Sequence, residues 1–292
     1  VLQPVYGGAA ASPFTSHHNA LDINVYLRIS LEPYLKRLIV GGFDRVYEIG
    51  KCFRNEGIDR THNPEFTMLE LYQAYADYND MMLLAEELIV NTAIEVNGTT
   101  KVNFDGKEID IKTPWKRIKV TDAIKEYAGI DVMSMNDDEL KDALKKFGGE
   151  IKGDYIRGLA IDELFQILVE DKLIEPTFVT HQPVETTPLC KPDIDDERIL
   201  QRFELFINGT EFANAYSESN DPVFQRKTLY EQSLRRDVDD EAPPMDENFV
   251  QAIEAGMPPT GGMGIGIDRL VMLLTGEISI RDILLFPTMK PE

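Results

Sequence analysis

Two runs of partly alternating polar and apolar residues frame the first third of the chain. Residues 43–53, "FDRVYEIGKCF", are rich in aromatic and β-branched types and predict a strand. Residues 65–75 predict a second, with the polar "NEGIDRTHNP" between them as a long hairpin loop. The period then changes: in "NDMMLLAEELIVNTAIEV" apolar residues recur at helical spacing behind an Asn or Asp able to cap the first turn, so a helix is expected. Residues 97–112 read as a small polar hairpin, with Asn97-Gly98 and Asp105-Gly106 as turn signals. From about 120 to 175, "NDDELKDALKKFGGE" and "AIDELFQILVEDKLI" predict short amphipathic helices, a helical insertion in an otherwise strand-rich domain. Strand texture returns at 202–218, where Asn208-Gly209 marks a two-residue turn. The acidic, proline-containing "DVDDEAPPMDE" (237–247) reads as solvated surface. The chain closes on "GMGIGIDRLVMLLTG", a glycine-rich strand running into an apolar helix that Gly276 ends.

Composition narrows the class without naming a chemistry. With 292 residues, 43% of them hydrophobic, the chain can bury a large core in one domain or in one domain plus an insertion. It has no apolar run of about 18 residues, so a membrane span is not expected. The N-terminus lacks the pattern of a secretory signal and has no initiator Met, which suggests a fragment of a longer protein. Cys52 and Cys190 fall in no metal-binding spacing, and two thiols suit a reducing, cytoplasmic setting. A formal charge of −21 argues against a general nucleic-acid coat, yet leaves room for a polyanion on one local basic patch.

Candidate chemistry gathers in three places. With period two, Arg54 and Glu56 face one side of the first strand, and Phe66, Glu70 and Tyr72 share a face of the second. Two carboxylates and an arginine on one sheet surface cost solvation unless they pair or bind something; a surface salt-bridge ladder is the plain alternative. Counting back from the Asn208-Gly209 turn, Glu204 lies diagonal to Glu211, close enough for both to approach one cation. An all-carboxylate pair suits Mg²⁺, although two exposed acids on a hairpin are common. Asn214, Tyr216 and Glu218 have the opposite parity, so all five residues reach one site only if the strand bulges between Glu211 and Asn214. Arg269, at the start of the last helix, would form a phosphate seat with that helix's N-terminus. The glycines before it match neither the dinucleotide fingerprint nor the P-loop, and a tight strand-to-helix turn would explain them. His17-His18 lacks further ligands, His181 reads as structural, and Trp115 reads as packing for the insertion.

"FRNEGIDRTHNPEFTMLELY" together with "GIGIDRLVMLL" resembles motifs 2 and 3 of the class II aminoacyl-tRNA synthetases. "GGAAASPF", "YLRISLEPYLKRLIVGGFDRVYEIG" and "ELFINGTEFANAYSESNDP" narrow the resemblance to the lysyl-tRNA synthetases, across essentially the whole chain and most weakly in the insertion. The resemblance implies an α+β fold, an antiparallel sheet flanked by helices over residues 1–292, with the helical insertion at 113–178. It implies that Arg54 binds the α-phosphate and the amino-acid carboxylate, and that Glu56 takes the adenine amino group. His62 and Asn63 would line the ATP loop, Phe66 would stack on adenine and Arg269 would meet the γ-phosphate. Glu204 and Glu211 resemble the Mg²⁺ carboxylates, and Glu32 the residue that receives the substrate α-amine. Motif 1, which helps form the dimer in this class, and the anticodon-binding barrel would lie mostly outside the chain, so a homodimer is expected of the full-length protein.

A pocket walled by Glu70, Tyr72, Asn214, Tyr216 and Glu218, with no Lys or Arg at these five positions, favours an amino acid bearing a side-chain ammonium. The implied reaction is activation of L-lysine by ATP to lysyl-adenylate, followed by transfer to the 3′ end of tRNA(Lys). Two alternatives stay open. One is the paralogue that lysylates elongation factor P, for which Ala213 and Ala215 leave room; the other is a synthetase-like binding module without catalysis.

Overall fold

The computed structural model describes residues 1–237 and 241–290. In chain order its elements begin with β1 (Leu2–Gln3), β2 (Thr15–His18), β3 (Ile23–Leu27), α1 (Glu32–Val40), β4 (Arg45–Phe53), β5 (Glu65–Ala74) and α2 (Tyr78–Asn97). A small hairpin follows, β6 (Lys101–Phe104) and β7 (Lys107–Asp110), then β8 (Lys116–Lys119) and the helices α3 (Val120–Ala128), α4 (Asp137–Lys146) and α5 (Arg157–Leu168). The remainder is β9 (Thr177–Thr180), β10 (Arg202–Ile207), β11 (Thr210–Ser217), α6 (Pro222–Leu234), α7 (Glu247–Glu254), β12 (Thr260–Gly266) and α8 (Ile267–Thr275). Seven strands form one sheet in the order β4-β5-β12-β11-β10-β9-β8, antiparallel throughout except for the parallel β8–β9 pair. The fold is therefore α+β, a largely antiparallel sheet with helices around it.

Alternation assigns the sheet's two faces. Leu69, Phe203, Leu205, Ala213, Ala215, Met263 and Ile265 point to one side, where α2 and α8 cover them in the main core. The opposite face carries Phe66, Met68, Tyr72 and Tyr216 and meets a second cluster built by α1 and α7. The helices of the 113–178 span have a third core of their own, which includes Ile124, Leu140, Leu164 and Phe165. That span also holds β8 and the start of β9, so it is tied into the edge of the main sheet.

Several local expectations need correction. The α2 cap is Asp77, two residues before the first Asn: its carboxylate accepts from the N–H groups of Asn79 (2.7 Å) and Asp80 (3.1 Å), and Asp80 returns the bond. Gly98 is not a hairpin turn; at φ 73° it closes α2, and the hairpin turn is Asp105-Gly106 alone. Trp115 packs into the main core against Phe178, at 5.4 Å between ring centroids, instead of serving the insertion. "GGMGIG" forms the expected strand, β12, at the centre of the sheet, so its glycines serve a strand and not the tight turn offered as their plain alternative. In the acidic 237–247 stretch, residues 238–240 lie outside the described residues. Of the remainder, Ala242 is buried, and Asp246 pairs with Arg37 at 2.9 Å and caps α7.

Candidate active site

One cavity of about 490 Å³ opens on the sheet face that carries the polar residues, and every candidate site residue lines it. The β10–β11 hairpin shows how they come together. Asn208 and Gly209 hold φ at 50° and 71°, the left-handed pair that a two-residue hairpin turn requires. Phe206 then faces Glu211, while Leu205 faces Ala213, so Phe212 is an extra residue in β11. Phe212 and Ala213 both turn into the main core. Past the bulge, Asn214 sits opposite Glu204 and Tyr216 opposite Arg202, so Glu211, Asn214 and Tyr216 all reach the cavity and Glu204 is diagonal to Glu211.

Across the floor, β12 lies between β11 and β5 with Gly262 opposite Tyr72 and Gly264 opposite Glu70. A Cβ on Gly262 would fall 2.0 Å from a Glu218 carboxylate oxygen and 2.5 Å from the Tyr72 ring. These glycines keep the floor flat, so that side chains from both neighbouring strands meet over it.

Arg54 and Glu56 reach the cavity from a loop, not from a strand. β4 ends at Phe53 because the Arg54 N–H bonds to Pro64 and the Asn55 N–H leaves the ladder for Ser12 at 2.7 Å. The Arg54 guanidinium lies 5.1 Å from the centre of the Phe66 ring, and its Nε is buried without a hydrogen-bond partner. Asn63 donates to the Glu65 carbonyl at 2.6 Å while its own Oδ1 is buried and unpartnered. Such atoms in a cavity wall are vacant valences for a ligand. Arg269 donates to the Glu211 carbonyl oxygen at 2.6 Å, and its other terminal nitrogen lies 3.2 Å from His62 Nε2. His62 in turn meets Asp59 at 2.8 Å. Against the burial that would raise it, hydrogen bonds from Thr61 and His62 hold the Asp59 carboxyl down at about 2. Glu56 is exposed at the cavity's rim.

The other end of the cavity is acidic. Glu32, Glu70 and Glu218 are all buried. Glu70 accepts from the Ser30 hydroxyl (3.1 Å), the Leu31 N–H (3.2 Å) and the Tyr72 hydroxyl (3.1 Å). Burial first, and then the Glu32 charge, push Glu70 up to about 7. The sequence reading missed two cations, Lys36 at this end and Arg202 beside Glu204. Lys36 is fully buried with its ammonium on both Glu32 and Glu218. Arg202 joins Glu204, bonds to Asn214 Oδ1 at 3.1 Å and to the Thr186 hydroxyl at 2.9 Å, and lies 5.6 Å from the Tyr216 ring centre. A signal for each was present: Lys36 falls on the same helical face as Glu32, Leu35 and Ile39, and Arg202 shares the strand parity of Glu204.

Among the described residues no three His, Cys, Asp or Glu side chains gather as a ready-made metal site. The Glu204–Glu211 pair nonetheless crowds negative charge. Burial raises Glu204, Arg202 pulls it back and the Glu211 carboxylate raises it again. Glu170 is pushed up to about 8 by burial and then by the Glu204 and Glu211 charges. Oxygen donors under mutual repulsion fit a hard divalent cation that completes its shell with phosphate oxygens.

The family model for class II tRNA synthetases (D, K and N) matches residues 1–290. The chain belongs to this family. It is 55% identical to a lysine–tRNA ligase of Clostridium novyi (strain NT), 54% identical to one of Clostridium tetani (strain Massachusetts / E88) and 55% identical to one of Thermoanaerobacter sp. (strain X514). Each match covers 100% of this chain but only 58% or 59% of the relative, so the chain spans less than two thirds of these class II synthetases.

Proposed function

We propose that this chain is the adenylate-forming part of a lysine–tRNA ligase: it activates L-lysine with ATP, and the full-length protein transfers the lysyl group to the 3′ end of tRNA(Lys). The observation that carries this reading is the polarity of this cavity. Three buried carboxylates stand at one end, and two arginines, Arg54 with an unpartnered Nε over the aromatic face of Phe66 and Arg269, stand at the other. A small dication fits the first end and a nucleotide polyphosphate the second. The lysine–tRNA ligases among its relatives support the same substrate and favour tRNA as acceptor over a protein lysine or a non-catalytic role.

In this reading Glu32 takes the substrate α-amine, and Glu70, Tyr72, Asn214, Tyr216 and Glu218 surround the side-chain ammonium. Arg54 holds the lysine carboxylate against the α-phosphate, with Phe66 on the adenine and Glu56 on its amino group. His62 and Asn63 line the phosphates, and Arg269 draws charge from the γ-phosphate. The carboxylate oxygen attacks the α-phosphorus in line and pyrophosphate leaves. The side chains position the reactants and stabilise phosphate charge without forming a covalent bond. Glu204 and Glu211 would hold Mg²⁺, which supplies further neutralisation of phosphate oxygens when bound. Among the described residues no helix is long and apolar enough to cross a membrane, and cytoplasmic action as a homodimer belongs to the same proposal.

ATP–pyrophosphate exchange with each of the 20 standard amino acids tests it. Exchange driven by lysine is the expected result. Exchange driven by another amino acid instead would overturn the substrate assignment.

A further inference from the structure

The acidic end of the cavity draws its carboxylates from three segments: Glu32 from the first turn of α1, Glu70 from β5 and Glu218 just past β11. Three buried carboxylates without a counter-charge do not stay ionised. One cation is built in. Lys36 stands one turn along α1 from Glu32 and has no exposed surface. Its ammonium touches the Glu32 and Glu218 carboxylates and lies 3.3 Å from the Leu189 carbonyl oxygen. Glu70, in contrast, is served by neutral donors only, from Ser30, Leu31 and Tyr72. The formal balance is three negative charges against one positive. Two more positive charges complete it, and an amino acid with an α-ammonium and a side-chain ammonium brings both.

We propose that Lys36 is a positioning residue for the amino-acid substrate. By bridging Glu32 and Glu218 it fixes the separation of the carboxylates for the two amines, and it sets the pocket's charge so that a dicationic amino acid neutralises it. The proposal rests on the lysine reading above. It assigns Lys36 no contact with the reacting atoms; the ammonium acts through the two carboxylates. The charged and titratable groups facing Glu218 are Lys36 and Glu32 from α1, Glu70 and the Tyr72 phenol from β5, and Cys190 from the segment bridged to Glu218. Lys36 is the one cation among these. Burial raises the Glu218 pKa and Lys36 pulls it back, so loss of the ammonium lets it climb. Against burial, the Glu218 and Glu32 charges hold Lys36 itself firmly protonated.

The test is ATP–pyrophosphate exchange in the intact protein, wild type beside each variant, across pH. Absence of lysine-dependent exchange in the wild type would remove the substrate reading and this proposal with it. Given wild-type exchange, Lys36→Met, similar in length and uncharged, is expected to raise KM for lysine about tenfold or more. It should also move the acidic limb of kcat/KM for lysine to higher pH and leave KM for ATP unchanged. Lys36→Arg keeps the charge and displaces it, so KM for lysine should rise while the acidic limb stays in place. An unmoved lysine KM and limb in Lys36→Met overturn the proposal, as does an equal loss toward ATP and lysine, which marks a merely structural residue. Should Lys36→Met fail to fold, Lys36→Arg decides: an unchanged KM for lysine or a displaced limb overturns it.

Discussion

The Glu70 carboxyl accepts three hydrogen bonds, yet burial and then the Glu32 charge carry it from its ordinary 4.5 to about 7. A carboxyl whose folded pKa lies above its unfolded one makes its full contribution to stability below 4.5 and loses it as pH rises through about 7. An ammonium placed beside Glu70 favours the ionised form and reverses that trend. The rise in Tm produced by lysine is therefore expected to grow as pH climbs through about 7, with protons released on binding near neutrality. Thermal melts with and without lysine, and calorimetry in buffers of differing ionisation enthalpy, check both; a lysine effect that grows toward acid pH would exclude an ammonium at Glu70. Arg54 supports a second prediction at this scale. Its unpartnered Nε and its place over Phe66 leave the guanidinium available for charge developing on a phosphate. Arg54→Ala is expected to slow single-turnover adenylate formation by about 10²- to 10³-fold. A change confined to KM for ATP would assign Arg54 to ground-state binding instead. The contrast between Arg54 and Lys36 also marks what was legible at this scale. Arg54 stands in a dense polar motif and could be singled out, whereas Lys36 sits among the apolar residues of "YLKRLIV" and reads as one more surface lysine until the helix is turned.

The strands of the central sheet were legible because each has one buried face, which forces a period of two into the sequence. Helix ends were less so: Asp77 and Asn79 are both good caps, and the choice depends on where the preceding chain turns. The β11 bulge was legible only as a contradiction, since Glu211 and Glu218 cannot share a face of a regular strand. β12 was legible as a glycine-rich strand but its role was not, because alternate glycines carry no hydrophobic signal and their meaning lies in what stands opposite them. At Gly262 an added methyl would meet the Glu218 carboxylate, already held by Lys36, and the Tyr72 ring. At Gly264 it would meet the Met68 Cε at 3.1 Å, the free end of a flexible side chain. Gly262→Ala is therefore expected to raise KM for lysine about tenfold or more, from an overpacking cost of about 1–3 kcal/mol, while Gly264→Ala shows a smaller rise. Steady-state exchange kinetics on the two variants check the order, and a reversed order would mean that β12 is not the floor of the amino-acid site.

At the scale of the whole molecule, the sheet has two edges. β8 packs against α3, and the separate core of the 113–178 helices anchors it. β4 is the other edge, and its odd-numbered residues continue the core face beyond the reach of α2 and α8. Tyr47, 73% exposed, and Ile49, 57% exposed, lie there opposite Leu71 and Leu69, with Phe43 exposed just before the strand. An unpaired edge strand beside uncovered aromatic and branched side chains is a surface that soluble proteins cover. A second copy of the chain is the partner expected, because the same surface on two copies is self-complementary about a two-fold axis. Tyr47→Lys with Ile49→Lys places like charges on both sides of such a contact without touching the cavity. The paired variant is expected to shift the intact protein from dimer toward monomer by light scattering. Because α1 packs on both β4 and β5, lysine-dependent exchange should fall with it at low protein concentration and recover as concentration rises. An unaltered mass with unaltered exchange would place the dimer contact on another surface and leave the exposed edge of β4 without a partner of its own kind.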